Sequence, residues 1–366
     1  MTVVPQRSHT TANAILDWYG AKGDEPRLHL GCSEIGGPCE RQLWYGFRWA
    51  SKPDISGRIR RLFETGNMAE DRFLSNLRAI GVEVHDRDPE TGKQHYFSTL
   101  GGHFGGSCDG IGLGFPEAPK TWAITEFKTH ASRSFASLVK DGVLKSKPMH
   151  WAQMQCYMLF AELDRALYLA VNKDNDDLYS EWVHFDEVAA TTYVERAERV
   201  INATKPLTPV STDFTWYQCK LCNHYGVCHS NQVALKNCRT CVHATPDLAG
   251  QGWICEKFSK VLSFKDQKDA CGSHLFIPQL VPYADVVDGS DDWVGYKHKT
   301  NGTMFANITK DCTREMVPED FTAGYLSEEL AICTSSTVAD QLVENIKSLW
   351  WDAKVIPYEV KDENKP

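Results

Sequence analysis

Apolar and polar positions alternate with two different periods along this chain, and the periods predict its elements. Between residues 61 and 81 apolar side chains fall at Leu62, Phe63, Met68, Phe73, Leu74 and Leu77, a helical stripe that Gly81 ends. TWAITEFKTH alternates strictly and predicts a strand, with Ile124, Glu126 and Lys128 on one face and Thr125 and Phe127 on the other. MHWAQMQCYMLFAELD predicts a helix, RALYLAVNKD and LYSEWVHFD predict strands, and a long helix is expected from about 187 to 203. Upstream, short helices are expected over 12–24 and 38–48, the second opened by Ser33 or by the Gly-Gly pair before Pro38. Between the first stripe and the alternating strand, further strands are expected, with turns at Pro89 to Gly92 and at Gly101-Gly102. The order helix, strands, helix, strand predicts an α/β (α+β) fold, a small mixed β-sheet flanked by helices. A Cys-rich segment follows from about 219 to 271, then a C-terminal extension ending in the helix-like STVADQLVENIKSLWWDAK. Trp293, Tyr296, Phe305, Trp350 and Trp351 in that extension read as core.

Composition narrows the class. With 42% hydrophobic and 24% charged residues, the 366-residue chain has the balance of a soluble globular protein, long enough for two domains. No apolar run approaches the roughly 18 residues that span a bilayer, and MTVVPQRSHTTANAILDWYG lacks a signal-peptide core, so a cytoplasmic location is expected. The net charge of -9 argues against a general polyanion binder. Local basic stretches, Arg58, Arg60 and Arg61 in one and Lys140, Lys145 and Lys147 in another, leave nucleic acid open as a substrate.

Candidate chemistry begins at Asp109, which ends one strand, while Glu126 and Lys128 share a face of a later one. Two carboxylates brought together repel unless a proton or a cation sits between them. Hard oxygen ligands suit Mg²⁺ or Mn²⁺, and Lys128 beside such an ion would orient or deprotonate an attacking water, the outline of phosphodiester hydrolysis. A plain surface strand with a Glu–Lys pair would look the same in isolation. The helix that follows places Gln153 and Tyr157 four apart, on one face, within reach of a phosphate.

D…ExK followed by QxxxY resembles the PD-(D/E)XK nuclease superfamily, in particular its RecB-like and lambda-exonuclease-like branch, over roughly residues 30 to 230. The resemblance implies a restriction-endonuclease-like core in which Asp109 and Glu126 are metal ligands, Lys128 is the catalytic lysine, and Gln153 and Tyr157 position the substrate or the lysine. It also implies an acidic or histidine ligand from an upstream helix. ETGNMAEDRF offers Glu70 there, with Glu64 as a weaker candidate, and Asn67 stands where the RecB-like histidine would be. The activity implied is divalent-metal-dependent cleavage of DNA by an exonuclease or end-processing enzyme in recombination, repair or defence. Phage-encoded relatives would place it in the host cytoplasm. The same core admits a site-cutting endonuclease, and a degenerate one a non-catalytic nucleic-acid-binding protein. A protein partner or a homo-oligomer stays open.

Thirteen cysteines in a reducing compartment point to metal rather than disulfides. Cys32, Cys108, Cys156, Cys312 and Cys333 are isolated and read as small buried hydrophobes. Cys219, Cys222 and Cys228 have C-x2-C-x5-C spacing and lack a fourth partner. In the resembled nucleases an N-terminal cysteine and such a C-terminal triplet hold a [4Fe–4S] cluster, which implies Cys39, in CERQLWY, as the fourth ligand. Cys238, Cys241, Cys255 and Cys271 would then form a second set, for a structural Zn²⁺. Alternatively, Cys219, Cys222, Cys238 and Cys241 fit a zinc-ribbon spacing, which strands the others. His224, His229, His243 and His274 are possible substitute ligands, each more in keeping with a surface histidine. The expected division is a nuclease domain over 1–230 closed by the cluster, a four-cysteine segment over 231–275 and an extension over 276–366.

Overall fold

The computed structural model describes residues 10–250 and 252–356. The reading of the N-terminus draws on residues 1–9, which lie outside the described residues, as do the last ten of the extension. The fold is mixed α/β, with several sheets flanked by helices. The chain divides into two compact units, one of residues 1–38 and 54–199, the other of residues 39–53 and 200–366. Cys39 and the cysteines from Cys219 onward therefore fall in the same unit.

The first unit is built on a helix α1 (Gly57–Ala79) and five strands: β1 (Glu83–His85), β2 (Gly110–Leu113), β3 (Ala123–His130), β4 (Arg165–Asn172) and β5 (Leu178–His184). They lie in chain order across one sheet, antiparallel except for the parallel pair β3–β4. Between β3 and β4 run two helices, α2 (Ser132–Ser146) and α3 (Pro148–Ala161), the crossover that a parallel pair requires. The alternation of β3 holds. Phe127 and Ala123 face α1, whose Phe73, Leu74 and Leu77 close a core with Val84, Leu167 and Val171, the rings of Phe73 and Phe127 stacking at 5.1 Å. Three residues of the expected stripe do not join it: Leu62 is half-buried outside this core, and Phe63 and Met68 lie exposed, at 56% and 68%. A second sheet pairs Phe104–Ser107 with Leu30–Gly31 and Tyr96–Thr99.

α2 has no counterpart in the expected elements. Gly142 breaks its pattern with φ 71 and ψ 174, a backbone region that favours glycine, and the N–H of Val143 freed there is taken by the Glu181 carboxylate at 2.9 Å. The helix expected over 38–48 begins at Glu40, with Cys39 as its N-cap, and a separate short helix covers Cys32–Ile35.

The second unit carries a three-stranded antiparallel sheet over Ala244–Asp247, Gly252–Cys255 and Lys260–Leu262. A four-stranded sheet lies in the extension: Ala284–Gly289, Trp293–His298, Met304–Ile308 and Ala323–Leu326. Trp293, Tyr296 and Phe305 are core, as expected, and Trp351 packs against the cluster that holds Trp293. Trp350 does not, being 60% exposed.

Candidate active site

Asp109 stands one residue before β2. Its Oδ2 accepts a hydrogen bond from the Phe127 N–H of β3 at 2.6 Å, so the two strands are laced together by the acid itself. That fixes Asp109 beside Glu126. Glu126 is fully buried, and neither of its oxygens has a hydrogen bond of ordinary geometry, although Oε1 is ion-paired with the Lys128 ammonium. Lys128 also donates to the Phe127 carbonyl at 3.0 Å and keeps 25% of its side chain accessible. Glu70, part-buried on α1, interacts electrostatically with Asp109 and Lys128.

Burial sets the protonation of this group. It pushes the Glu126 carboxyl up to about 8, against the pull of Lys128 and with the help of the Asp109 charge. It raises Asp109 as well, opposed by Lys128. Glu70 is pushed up to about 7 by burial and by Asp109. Burial disfavours the Lys128 ammonium, but the carboxylates of Glu126, Asp109 and Glu70 outweigh it and leave the lysine above its ordinary value.

On α3, Gln153 donates to the Tyr157 hydroxyl at 3.3 Å, and Tyr157 donates to the Ser107 carbonyl at 2.7 Å. A side chain at Gly106 would place its Cβ 2.6 Å from the Tyr157 hydroxyl, so glycine is what lets the ring in. Gln153, Tyr157 and Ser107 line a cleft of about 300 Å³ whose wall also carries Arg27 and Ser33. A cleft of about 600 Å³, lined by Asn67, Glu70, Arg87 and Lys93 among others, shares Gln94, Tyr96 and Ser107 with it. Asp109, Glu126, Lys128 and Glu70 thus form one charged cluster, and Gln153 and Tyr157 stand beside it, Tyr157 within electrostatic range of Glu126. Glu64 is not part of this group; it accepts a hydrogen bond from Tyr19.

Sequence reasoning missed three neighbours. Tyr168 of β4, the register partner of Glu126, holds its hydroxyl 2.9 Å from both His130 Nε2 and His150 Nδ1. Burial and nearby lysines push His130 down to about 4, and burial with Lys128 pushes His150 down to about 3, so both imidazoles are neutral. His150 was legible in principle, three residues before Gln153 and seven before Tyr157 on one helical face.

In the second unit, the electrostatic couplings of Cys219 and Cys222 run to Cys39 and Cys228. Those of Cys238 and Cys241 run to Cys255 and Cys271. Arg41 approaches the Cys228 sulfur at 3.8 Å and the His224 N–H approaches the Cys222 sulfur at 3.4 Å, donors suited to thiolate charge. Cys32, Cys108, Cys156, Cys312 and Cys333 are buried, as expected. His224 and His274 are buried rather than surface histidines, at 7% and 2% exposure; His224 Nδ1 lies 2.7 Å from the Ser51 hydroxyl. Among the described residues, no group of three or more His, Cys, Asp or Glu side chains is placed so as to hold a metal ion. Among them, too, no helix is long and apolar enough to cross a membrane.

No family model and no curated protein matches the sequence. Among solved structures, the chain is similar to SSO0001, with a TM-score of 0.34 and 16% identity over 60% of this chain and 93% of that one. It is similar also to an alkaline exonuclease from Laribacter hongkongensis, with a TM-score of 0.34 and 14% identity over 50% of this chain and 90% of that one. The complex of that exonuclease with dAMP gives a TM-score of 0.33 and 14% identity, over 50% of this chain and 89% of the other.

Proposed function

We propose that the first unit is a divalent-metal-dependent deoxyribonuclease of the PD-(D/E)XK type that degrades DNA from its ends. One observation carries the reading: Glu126 is buried with both oxygens lacking ordinary hydrogen bonds, beside Asp109 and against the Lys128 ammonium. A buried carboxylate without hydrogen bonds costs several kcal/mol unless something positive completes it. Mg²⁺ or Mn²⁺ suits this donor set, all carboxylate oxygen, and Asp109, Glu126 and Glu70 are the residues that would hold it. When bound, such an ion supplies Lewis-acid polarisation of the phosphate and stabilises the leaving oxygen.

The chain's own residues do the rest. Lys128 stays an ammonium at neutral pH, because three carboxylates raise its proton affinity. By charge and hydrogen bonding it would orient the attacking water and the phosphate oxygens. Tyr157, fixed by its bond to Ser107, and Gln153, fixed by Tyr157, present a hydroxyl and an amide to the adjoining cleft, where they would position the strand.

For the cysteines, the couplings support Cys39, Cys219, Cys222 and Cys228 as one set. Four thiols with nearby N–H donors fit a [4Fe–4S] cluster, which would tie residue 39 to the segment after 219. The function is tested with end-labelled linear and closed-circular DNA in Mg²⁺ or Mn²⁺. Native protein should degrade the linear form and spare the circle, and Asp109→Ala and Lys128→Ala should cleave neither form. Cleavage unaffected by Asp109→Ala would overturn the reading; cutting of the circle would keep the site but make the enzyme an endonuclease.

A further inference from the structure

Thirty-three residues separate Cys238 from Cys271, yet Cys238, Cys241, Cys255 and Cys271 line one small cavity together with His243 and His274. They arrive from three different elements. Cys238 opens, and Cys241 closes, a 3-10 turn whose cap is locked both ways, the Asn237 side chain accepting from Arg239 N–H and the Thr240 hydroxyl accepting from Asn237 N–H. Cys255 ends the strand Gly252–Cys255, and Cys271 follows the helix Phe264–Asp269. None of the four is in a disulfide.

Two further observations point to a ligand. The backbone N–H groups of His243 and Leu275 are directed at the Cys241 sulfur. His274 is 2% exposed and its Nδ1, with the Nε2 of His243, is buried without a hydrogen-bond partner, an expense that an ordinary apolar core does not carry. His274 Nε2 bonds to the Asn237 carbonyl at 3.0 Å, which holds the ring in place against the turn.

Size then points to a single ion. The cavity is about 10 Å³, about the space of a single water-sized sphere, which suits one ion. We propose that it is a single-ion zinc site held by Cys238, Cys241, Cys255 and Cys271, separate from the chemistry of the first unit. Soft thiolates in a set of four select zinc among single divalent ions. As placed, the thiols are not set to hold an ion; binding would draw the sulfurs in to about 2.3 Å from the ion. The balance is one Zn²⁺ taken up and four thiol protons released. The ion would clamp the 238–241 turn to the three-stranded sheet and to residue 271.

The test is elemental analysis and zinc-edge X-ray absorption on the full native chain. One zinc per chain with four sulfur neighbours is expected. Cys255→Ser and Cys271→Ser should each lose that zinc, while Cys39→Ala should keep it. If the serine variants fail to fold, the edge spectrum of the native chain decides alone. The proposal is overturned by a native protein without zinc, by nitrogen or oxygen neighbours replacing two or more sulfurs, or by full zinc in both serine variants. Iron retained in Cys39→Ala and lost in Cys255→Ser would overturn it as well.

Discussion

Replacing Glu126 by glutamine removes a charge that the fold pays for and the proposed chemistry uses. The carboxyl moves from an ordinary 4.5 to about 8 on folding, so the folded chain holds its proton to higher pH than the unfolded chain does. Stability from this group is therefore complete below about 4.5 and is lost as pH rises towards about 8. At about 1.4 kcal/mol per unit, the loss is about 3 kcal/mol at pH 7 and about 5 kcal/mol above pH 8. Glutamine keeps the shape and cannot ionise, but its buried amide needs partners and takes back about 1–3 kcal/mol. In EDTA, Glu126→Gln should match or fall below the native chain at pH 5 and exceed it by about 2 kcal/mol at pH 8.5. Urea unfolding at several pH values measures this, followed by the same titration in Mg²⁺, which should stabilise the native chain alone. The variant should not cleave DNA. Parallel pH curves for the two proteins in EDTA would refute the assignment of the proton to Glu126.

Lys128→Met should lower single-turnover DNA cleavage by about 10²–10³-fold with substrate binding kept, since it removes the ammonium that orients the reacting groups; a loss under tenfold would exclude that role. Tyr157→Phe should cost about 1 kcal/mol in urea unfolding, because it takes a hydrogen bond from the part-buried Ser107 carbonyl and a partner from the Gln153 amide. In the second unit, Lys347 and Glu329 form a buried pair at 2.8 Å, 2% and 6% exposed. Lys347→Met should therefore destabilise by about 3–5 kcal/mol, and adding Glu329→Gln should recover part of it.

The grouping of the candidate residues is readable in the sequence where its signals are short-range. Strand alternation alone puts Glu126 and Lys128 on one face and Phe127 on the other, and helical spacing alone puts Gln153 with Tyr157. The Asp109–Phe127 bond that closes the pair crosses eighteen residues and depends on strand pairing. The same limit hid Tyr168, whose place next to Glu126 is a parallel register with no local mark. α2 was hidden for another reason: Gly142 reads as a breaker, and only Glu181, from a distant strand, repairs the break. Phe63 and Met68 fit the periodicity of α1 but not its cover, since period says which residues share a face and not how far a partner extends along it. The four-stranded sheet of the extension gave no functional pattern, and its tryptophans were legible only as bulk apolar residues.

Charge counting leads to the last prediction. Asp109, Glu126 and Glu70 bring three negative charges and Lys128 one positive, so the ionised cluster stands at -3 + 1 = -2. Water cannot screen Glu126, which has no exposure. Two protons or one divalent ion would each neutralise the excess. With Glu126 at about 8 and Glu70 at about 7, protons fill that role near pH 6, and uptake of the ion there must expel them. Mg²⁺ binding should therefore release close to two protons at pH 6 and close to none at pH 9.5, with affinity rising about tenfold per released proton for each pH unit between. Calorimetry in two buffers of different ionisation enthalpy reads the number directly, and Glu126→Gln should lower it by one at pH 6 in whatever binding survives. Equal proton release at both pH values, or none at pH 6, would mean that these carboxylates do not share the ion.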